Sequence, residues 1–279
     1  MIVSKKNLSV LLFFLPLNML IAQQRQAVTT NWESGRSKDM YECYAVNHDY
    51  CHYYIEVDLS RLTTDKHVGN TYTATLRPGK NSLFRFKGEG SWNYRYYRGH
   101  PDKKVNAQHQ YALPISSGDS VRIRYDKGKL IFNLQHTSDT VYASRDGIVC
   151  NDEFINKTPM GLILFIYHND GTCAQYGRLR EKLVKSREKV KTGMPLAIVY
   201  TGEEGSRHLE FHIDFLDENK LKDRNSTGKH SILNPLFHTE NHGVVRLDED
   251  TAYIGEITDE VVMQDMSKRE KEQYLKKKK

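Results

Sequence analysis

The sequence predicts an all-β protein: a small N-terminal β-sandwich, then a larger antiparallel β-sheet domain, then a short basic helix or tail. Three observations carry this. Apolar and polar residues alternate with period two through segment after segment, as in "HYYIEVDL" and "HLEFHIDF". The segments are short and bounded by Gly, Pro and Asn turns. After residue 22 no stretch approaches the ~18 consecutive apolar residues of a membrane span.

The chain opens on a secretory signal. Lys5 and Lys6 form the charged part, Leu8 to Leu17 a short apolar run, and "LIAQQ" a cleavage site after Ala22. No cysteine stands at that point to take a lipid anchor. The mature protein is therefore expected outside the cytoplasm, in the periplasm or at the outer surface. Residues 23–108 form the predicted sandwich, built from "HYYIEVDL", "NTYTATL", "NSLFRF" and "SWNYRYY". Trp92, Tyr94 and Tyr96 alternate on one face, as do Tyr53, Ile55 and Val57. Such a stripe reads as core before it reads as a glycan-stacking platform. "HPDKKVNAQHQ", 100–110, is polar and reads as a linker.

Residues 109–240 form the second domain. "DTVYASRDGIVCN" reads as strand, turn and strand, and "GLILFIYHNDGTCAQYGRL" as a hairpin with "NDGT" at its tip. "MPLAIVY" is a buried strand, and "SRHLEFHIDF" closes the sheet. Residues 241–279 are an extension. Within it "SKRE" has the form of a helix-capping box on Ser267, and Lys276–Lys279 suit a helix C-terminus, where they could touch an anionic surface.

Charge is unevenly placed. The net is +6, but Ser267 to Lys279 holds seven Lys/Arg against two Glu, and Lys5 and Lys6 leave with the signal. The remaining body is near neutral, which argues against nucleic-acid binding, a task that needs a basic face. With 17 Tyr and 10 Phe the chain can fill a core. The four cysteines, Cys43, Cys51, Cys150 and Cys173, lack the CxxC spacing of a zinc ribbon. Cys43 and Cys51 flank "YAVNHDY", so they either face each other across a hairpin as a disulfide or are two small buried thiols.

"RHLEFHIDF", 207–215, raises the functional question. As a strand it lines one face with Leu209, Phe211, Ile213 and Phe215, and the other with His208, Glu210, His212 and Asp214. One face is core; the other carries only acid–base groups and metal ligands.

The order of "DTVYASRDGIV", "LFIYHNDGTCAQYGRL", "VKSREKVKTGMPLAIVYTGEEGSRHLEFHI" and "ILNPLF" resembles the lysostaphin/LytM-type zinc metallopeptidases over residues 110–240. The layout is similar to that of exported Bacteroidetes-like members. The resemblance implies an antiparallel LytM-type sheet whose members hold zinc with the His and Asp of an "HxxxD" motif and the second His of "HxH". The first His of "HxH" and the His of "YxHL" flank the scissile carbonyl, and zinc-bound water cuts cell-wall peptides.

Carried over residue by residue, the site is depleted. His208 matches the first His of "HxH". Glu210 stands at the zinc-binding His, and Arg178, in "YGRL", at the "YxHL" His. The family's upstream His falls near Lys129 and its Asp near Phe132 or Asn133. Weak metal candidates remain in Glu210, His208, His136 and Asp139. Side chains at i and i+4 of a strand are ~13 Å apart, so His208 and His212 cannot share an ion. Arg178, Glu210, His212 and His168 are the expected groove residues, and Arg178 is expected to pair with Glu210.

The resemblance and the missing ligands together imply an exported, catalytically inactive LytM-like envelope protein without a cofactor. It would bind peptidoglycan, or bind and regulate a cell-wall amidase or other hydrolase. The alternatives are an active zinc endopeptidase with atypical ligands, using zinc through the four candidates above, and a structural envelope scaffold.

Overall fold

The computed structural model describes residues 26–35, 40–60, 63–64, 70–87, 91–134, 137–151 and 160–278. The predicted signal peptide and His136 lie outside them.

The N-terminal region holds two facing sheets. One contains Val28–Ser34, Met40–Asn47, Gly79–Lys87 and Thr63–Thr64 in the spatial order first, second, third, fourth. The other places Tyr53–Asp58 between Thr71–Leu76 and Tyr94–Arg98. Val28, Cys43, Ala45, Phe84 and Phe86 from the first meet Tyr53, Ile55, Val57 and Leu76 from the second in one core. Trp92 packs edge-on against Phe84 and Phe86 and donates to Thr30 Oγ1 at 3.0 Å. Its stripe is thus core packing.

The larger sheet runs Lys189–Val190, Gly147–Val149, Leu162–Tyr167, Thr172–Lys182, His208–Leu216, Lys129–Asn133, Ser120–Asp126 and Ala252–Ile254, all antiparallel. Pro195–Val199 and Thr140–Tyr142 branch from it along the far half of Thr172–Lys182. Leu236–Thr239 pairs in parallel with Gln110–Ala112 and carries the chain back across the start of this region. Tyr176, Phe132, Phe211 and Phe237 fill the centre.

Two glycines show why the predicted turns form. Gly171 takes φ +86 at the tip of the "NDGT" hairpin, the left-handed region that L side chains avoid. A Cβ on Gly147 would stand 2.5 Å from Ile166 Cγ2, so the strand leaving the "SRDG" turn can lie flat on its neighbour only without a side chain there.

Four expectations change or sharpen. Cys43 and Cys51 form no hairpin disulfide, because the strands flanking "NHD" enter different sheets; both are free, buried thiols. The 100–110 segment does not hang free: Lys103 Nζ donates to Asn169 O at 2.6 Å and Asn106 N to Asp170 at 3.3 Å. Core alternation in His208–Leu216 holds through Ile213, then slips, so Leu216 rather than Phe215 is buried. The capping box forms as predicted. Ser267 N donates to Glu270 Oε2 at 2.8 Å, Glu270 N donates back to Ser267 Oγ, and Lys268–Lys278 is helical.

Candidate functional site: a charged groove on the central strand

Three strands build the groove. In His208–Leu216, Leu209 and Phe211 turn into the core and send His208 and Glu210 to the opposite face. Lys129–Asn133 lies on one side, pairing Asn133 with His208 and Ile131 with Glu210. Thr172–Lys182 lies on the other, pairing Gly177 with Glu210. That strand changes partners here. Up to Gly177 it pairs with His208–Leu216; from Leu179 it pairs with Pro195–Val199. Arg178 is the switch residue and sits at φ +62, a left-handed conformation that costs a non-glycine residue about 1–2 kcal/mol.

The bend brings Arg178 onto Glu210. Arg178 Nε donates to Glu210 Oε1 at 2.8 Å, and Lys129 Nζ stands 3.5 Å from Glu210 Oε2. Burial alone would raise the Glu210 carboxyl, but hydrogen bonds and charge from Arg178 and Lys129 hold it below its ordinary value. His208 is lowered by burial, with Arg178 and Arg124 adding to the effect, so it is neutral at pH 7. Its Nδ1 is buried without a protein partner among the described residues. The expected Arg178–Glu210 pair is therefore present, and Lys129 joins it from the neighbouring strand.

The other expected residues part company. His212 faces a separate cavity of about 300 Å³ shared with Tyr125, Leu130, Ile232 and Pro235, and lies 3.7 Å from Asp214. Asp139 is half-buried, 4.0 Å from Arg180, and joins neither Glu210 nor His208. His168 is a correction. It is not in the groove but is 1% exposed beneath the hairpin tip, with Nδ1 2.7 Å from Asp146 O and Tyr111 against its ring. Burial, helped by Arg145, lowers it to about 4.

Around His168 lies a cluster that sequence reasoning missed. Arg145, 3% exposed, donates through Nε and Nη2 to Asp265 at 2.8 and 2.9 Å and through Nη1 to Asp170 at 2.8 Å. His109 completes it, 3.8 Å from Asp265. Asp265 sits 120 residues beyond Arg145, and only its distance from the other partners hid it; the "SRDG" and "NDGT" turns were legible.

A zinc ion does not fit the groove. Structural and catalytic zinc sites take three or four protein ligands. Here Glu210 is already engaged by two cations, and a third positive charge would meet Arg178 and Lys129 at close range. Nor, among the described residues, do the candidates Glu210, His208 and Asp139 assemble. Among the described residues the group of three metal-ligating side chains within 4.8 Å of one another is Asp49, Cys51 and Cys150, elsewhere in the molecule.

Residues 124–223 match the family model for peptidase family M23. No curated protein matches the chain. Among solved structures it is similar to lysostaphin (18% identity, TM-score 0.30, covering 39% of this chain and 49% of that one). It is also similar to the catalytic domain of the prophage-encoded M23 protein EnpA from Enterococcus faecalis (15%, 0.30, 43% and 93%). A third is Csd3 from Helicobacter pylori (13%, 0.30, 92% and 85%). The chain thus spans about half the length of the lysostaphin it matches. Residues 124–223, which carry the groove, are thus the part of the chain that is similar to peptidase family M23.

Proposed function

We propose that this protein is an exported M23-fold envelope protein that holds a carboxylate-bearing cell-wall peptide in the groove without cutting it. One observation carries the reading: Lys129, Glu210 and Arg178 form an ion cluster where the family's chemistry needs zinc ligands and a neutral imidazole. Arg is charged at every working pH and cannot accept a proton, so Arg178 cannot act as the "YxHL" base. His208 alone has no metal-bound water to orient. What remains suits recognition. Arg178 spends only one donor on Glu210, and its guanidinium and the half-exposed Lys129 ammonium can bind a peptide carboxylate beside it. An extended peptide laid between the strands would meet both. The sequence signal at residues 1–22 supports export, and the Lys276–Lys279 end gives a second, weaker contact for an anionic surface.

Two measurements on the full chain test this. Elemental analysis after dialysis against low zinc is expected to find sub-stoichiometric metal, and digestion of purified sacculi to release no muropeptide. Co-sedimentation with sacculi is expected, and is lost when Arg178→Ala is combined with Lys129→Ala. Near-stoichiometric zinc, lost on His208→Ala and accompanied by chelator-sensitive release of muropeptides, would overturn the reading in favour of an atypical peptidase. Sacculus binding that ignores the double substitution would remove the groove from the account.

A further inference from the structure

Three of the four cysteines, far apart in sequence, meet at one buried point between the two β regions. Cys51 lies in the turn after the N-terminal strand Met40–Asn47. Cys150 follows Gly147–Val149, and Cys173 begins the strand Thr172–Lys182. Each is at most 4% exposed. The ligating atoms of Asp49, Cys51 and Cys150 all lie within 4.8 Å of one another, and Cys173 is buried in the same core. Cys51 and Cys150 are thus a close pair of sulfurs.

The backbone on either side is locked in place. Asn151 N donates to Asp49 Oδ1 at 2.6 Å and Asn151 Nδ2 to His48 O at 3.2 Å, so the turn carrying Cys150 is bolted to the turn carrying Cys51. Asp49 Oδ2 accepts from the Cys51 thiol at 3.3 Å and from Tyr53 OH at 3.0 Å. Arg98 stands over Phe165 at 4.2 Å, 3.8 Å from the same carboxylate oxygen. The neighbouring Cys173 and Cys51 thiols, with Arg98 adding its charge, hold the Cys150 thiol well below its usual value despite burial. Cys43, in the same core but outside this close group, is pushed up to about 12 by burial and is inert.

A metal is the other use for thiols and a carboxylate, and the surroundings disfavour it. Asp49 is already spent on four donors, and the partly buried Arg98 guanidinium places a fixed positive charge beside the sulfurs. A cation would have to displace the first and repel the second. Arg98 favours a thiolate instead.

We propose that Cys150 and Cys51 close a disulfide that covalently joins the N-terminal β region to the M23 segment, leaving Cys173 as a free thiol. The bond forms while the chain folds, when the sulfurs are still reachable. The Cys150 thiolate attacks one sulfur of a small-molecule or protein disulfide and expels the other as a thiolate, which takes up a proton. The Cys51 sulfur, passing its proton to Asp49 and on to solvent, then attacks the Cys150 sulfur of the mixed disulfide and expels the second thiol. The external disulfide is reduced to two thiols, and the two cysteines are oxidised. Closing the gap to the ~2.05 Å of an S–S bond asks for side-chain rotation while the backbone clamps stay in place. The chemistry is independent of the groove; only its occurrence in the cell rests on the export reading, since oxidising compartments preserve such bonds.

The test uses the full chain refolded in a glutathione redox buffer, then denatured, alkylated and mapped by mass spectrometry without reduction. Free thiols are expected to fall from four to two, with Cys51 and Cys150 in one linked peptide and Cys43 and Cys173 alkylated. Cys173→Ser should keep the link. Cys150→Ser should leave three alkylated thiols and no link, a count made on denatured protein and so independent of how well the variant folds. The oxidised chain should melt at a higher temperature than the reduced one. Four free thiols after oxidative refolding, a link from Cys150 to Cys173 in place of Cys51, or one zinc per chain that survives Glu210→Ala but is lost with Cys150→Ser, would each overturn the assignment.

Discussion

Two arginines in this molecule each hold a carboxylate at 2.8 Å, and the two sites do opposite work. Arg145 is buried, forks bidentately onto Asp265, binds Asp170 with another nitrogen and reaches Tyr111 OH at 3.2 Å. Nearly every donor is spent inside the protein. Arg178 is a quarter exposed, reaches its carboxylate through one nitrogen, and holds a strained backbone to do so. A satisfied, dry cluster fixes structure; a half-wet one with spare donors is free to bind. The comparison also places the C-terminal extension. Asp265, beyond the predicted second domain, supplies the Arg145 counterion, so the extension is part of the folded body up to that point.

The largest effect should come from breaking the buried site. Arg145→Leu leaves Asp170 and Asp265 without their cation. Removing one partner of a buried pair costs about 3–5 kcal/mol, so urea unfolding should show a lowered midpoint of that order. A loss below about 1 kcal/mol, the ordinary value for exposed pairs, would mean that Arg145 is no better buried in solution than Arg178.

Acid should act next, and on the same site. His168 and His109 are held near pKa 4 by burial, with Arg145 opposing their protonation further; Asp265, Asp170 and Asp146 face them and pull the other way without prevailing. Their folded values lie below the unfolded value of about 6.5. Between those limits the unfolded chain binds more protons than the folded one. Stability is thus full above pH 6.5 and falls as pH drops toward 4, by up to about 1.4 kcal/mol per pH unit for each group. Asp170, held near 2 against the pull of burial by the Arg145 charge and hydrogen bonds, continues the loss from about pH 3.8 down to 2. Urea midpoints at pH 7, 5.5 and 4.5 would check the histidine part. A flat profile over that range would show both imidazoles open to solvent.

What the sequence revealed follows the same division. Strands and tight turns were legible because period-two alternation and Gly or Asn at "NDGT" are local consequences of the pleat and of left-handed backbone. The Arg178–Glu210 contact was legible because both residues fall on positions that face each other in a family resemblance. Lys129 was placed by the same alignment as a lost ligand, and only the structure shows that it binds Glu210. The Arg145 cluster and the Cys51–Cys150 pair were not legible. Each joins residues about 100 or more apart whose nearness is set by how sheets pack, not by any local pattern. His168 was misassigned for that reason: its strand ends at a hairpin tip, which reads as exposed, but the 100–110 segment and Arg145 cover it.

The smallest expected effect sharpens the comparison most, because it sets side chain against backbone at one residue. Arg178 contributes a partly exposed ion pair worth about 0.2–1 kcal/mol. Its φ of +62 costs any L residue about 1–2 kcal/mol, and glycine almost nothing. Arg178→Ala loses the pair and keeps the strain, so it should destabilise by roughly 0.2–1 kcal/mol; Glu210 keeps Lys129 and is not stranded. Arg178→Gly loses the pair and releases the strain. It should therefore match or exceed the parent protein and stand above the alanine variant by about 1 kcal/mol, against the usual order of the two residues in a strand. Both variants should bind sacculi more weakly than the parent. If alanine is the more stable of the two, the left-handed bend is not held at residue 178 in solution, and the partner switch at Gly177 and Leu179 must be made another way.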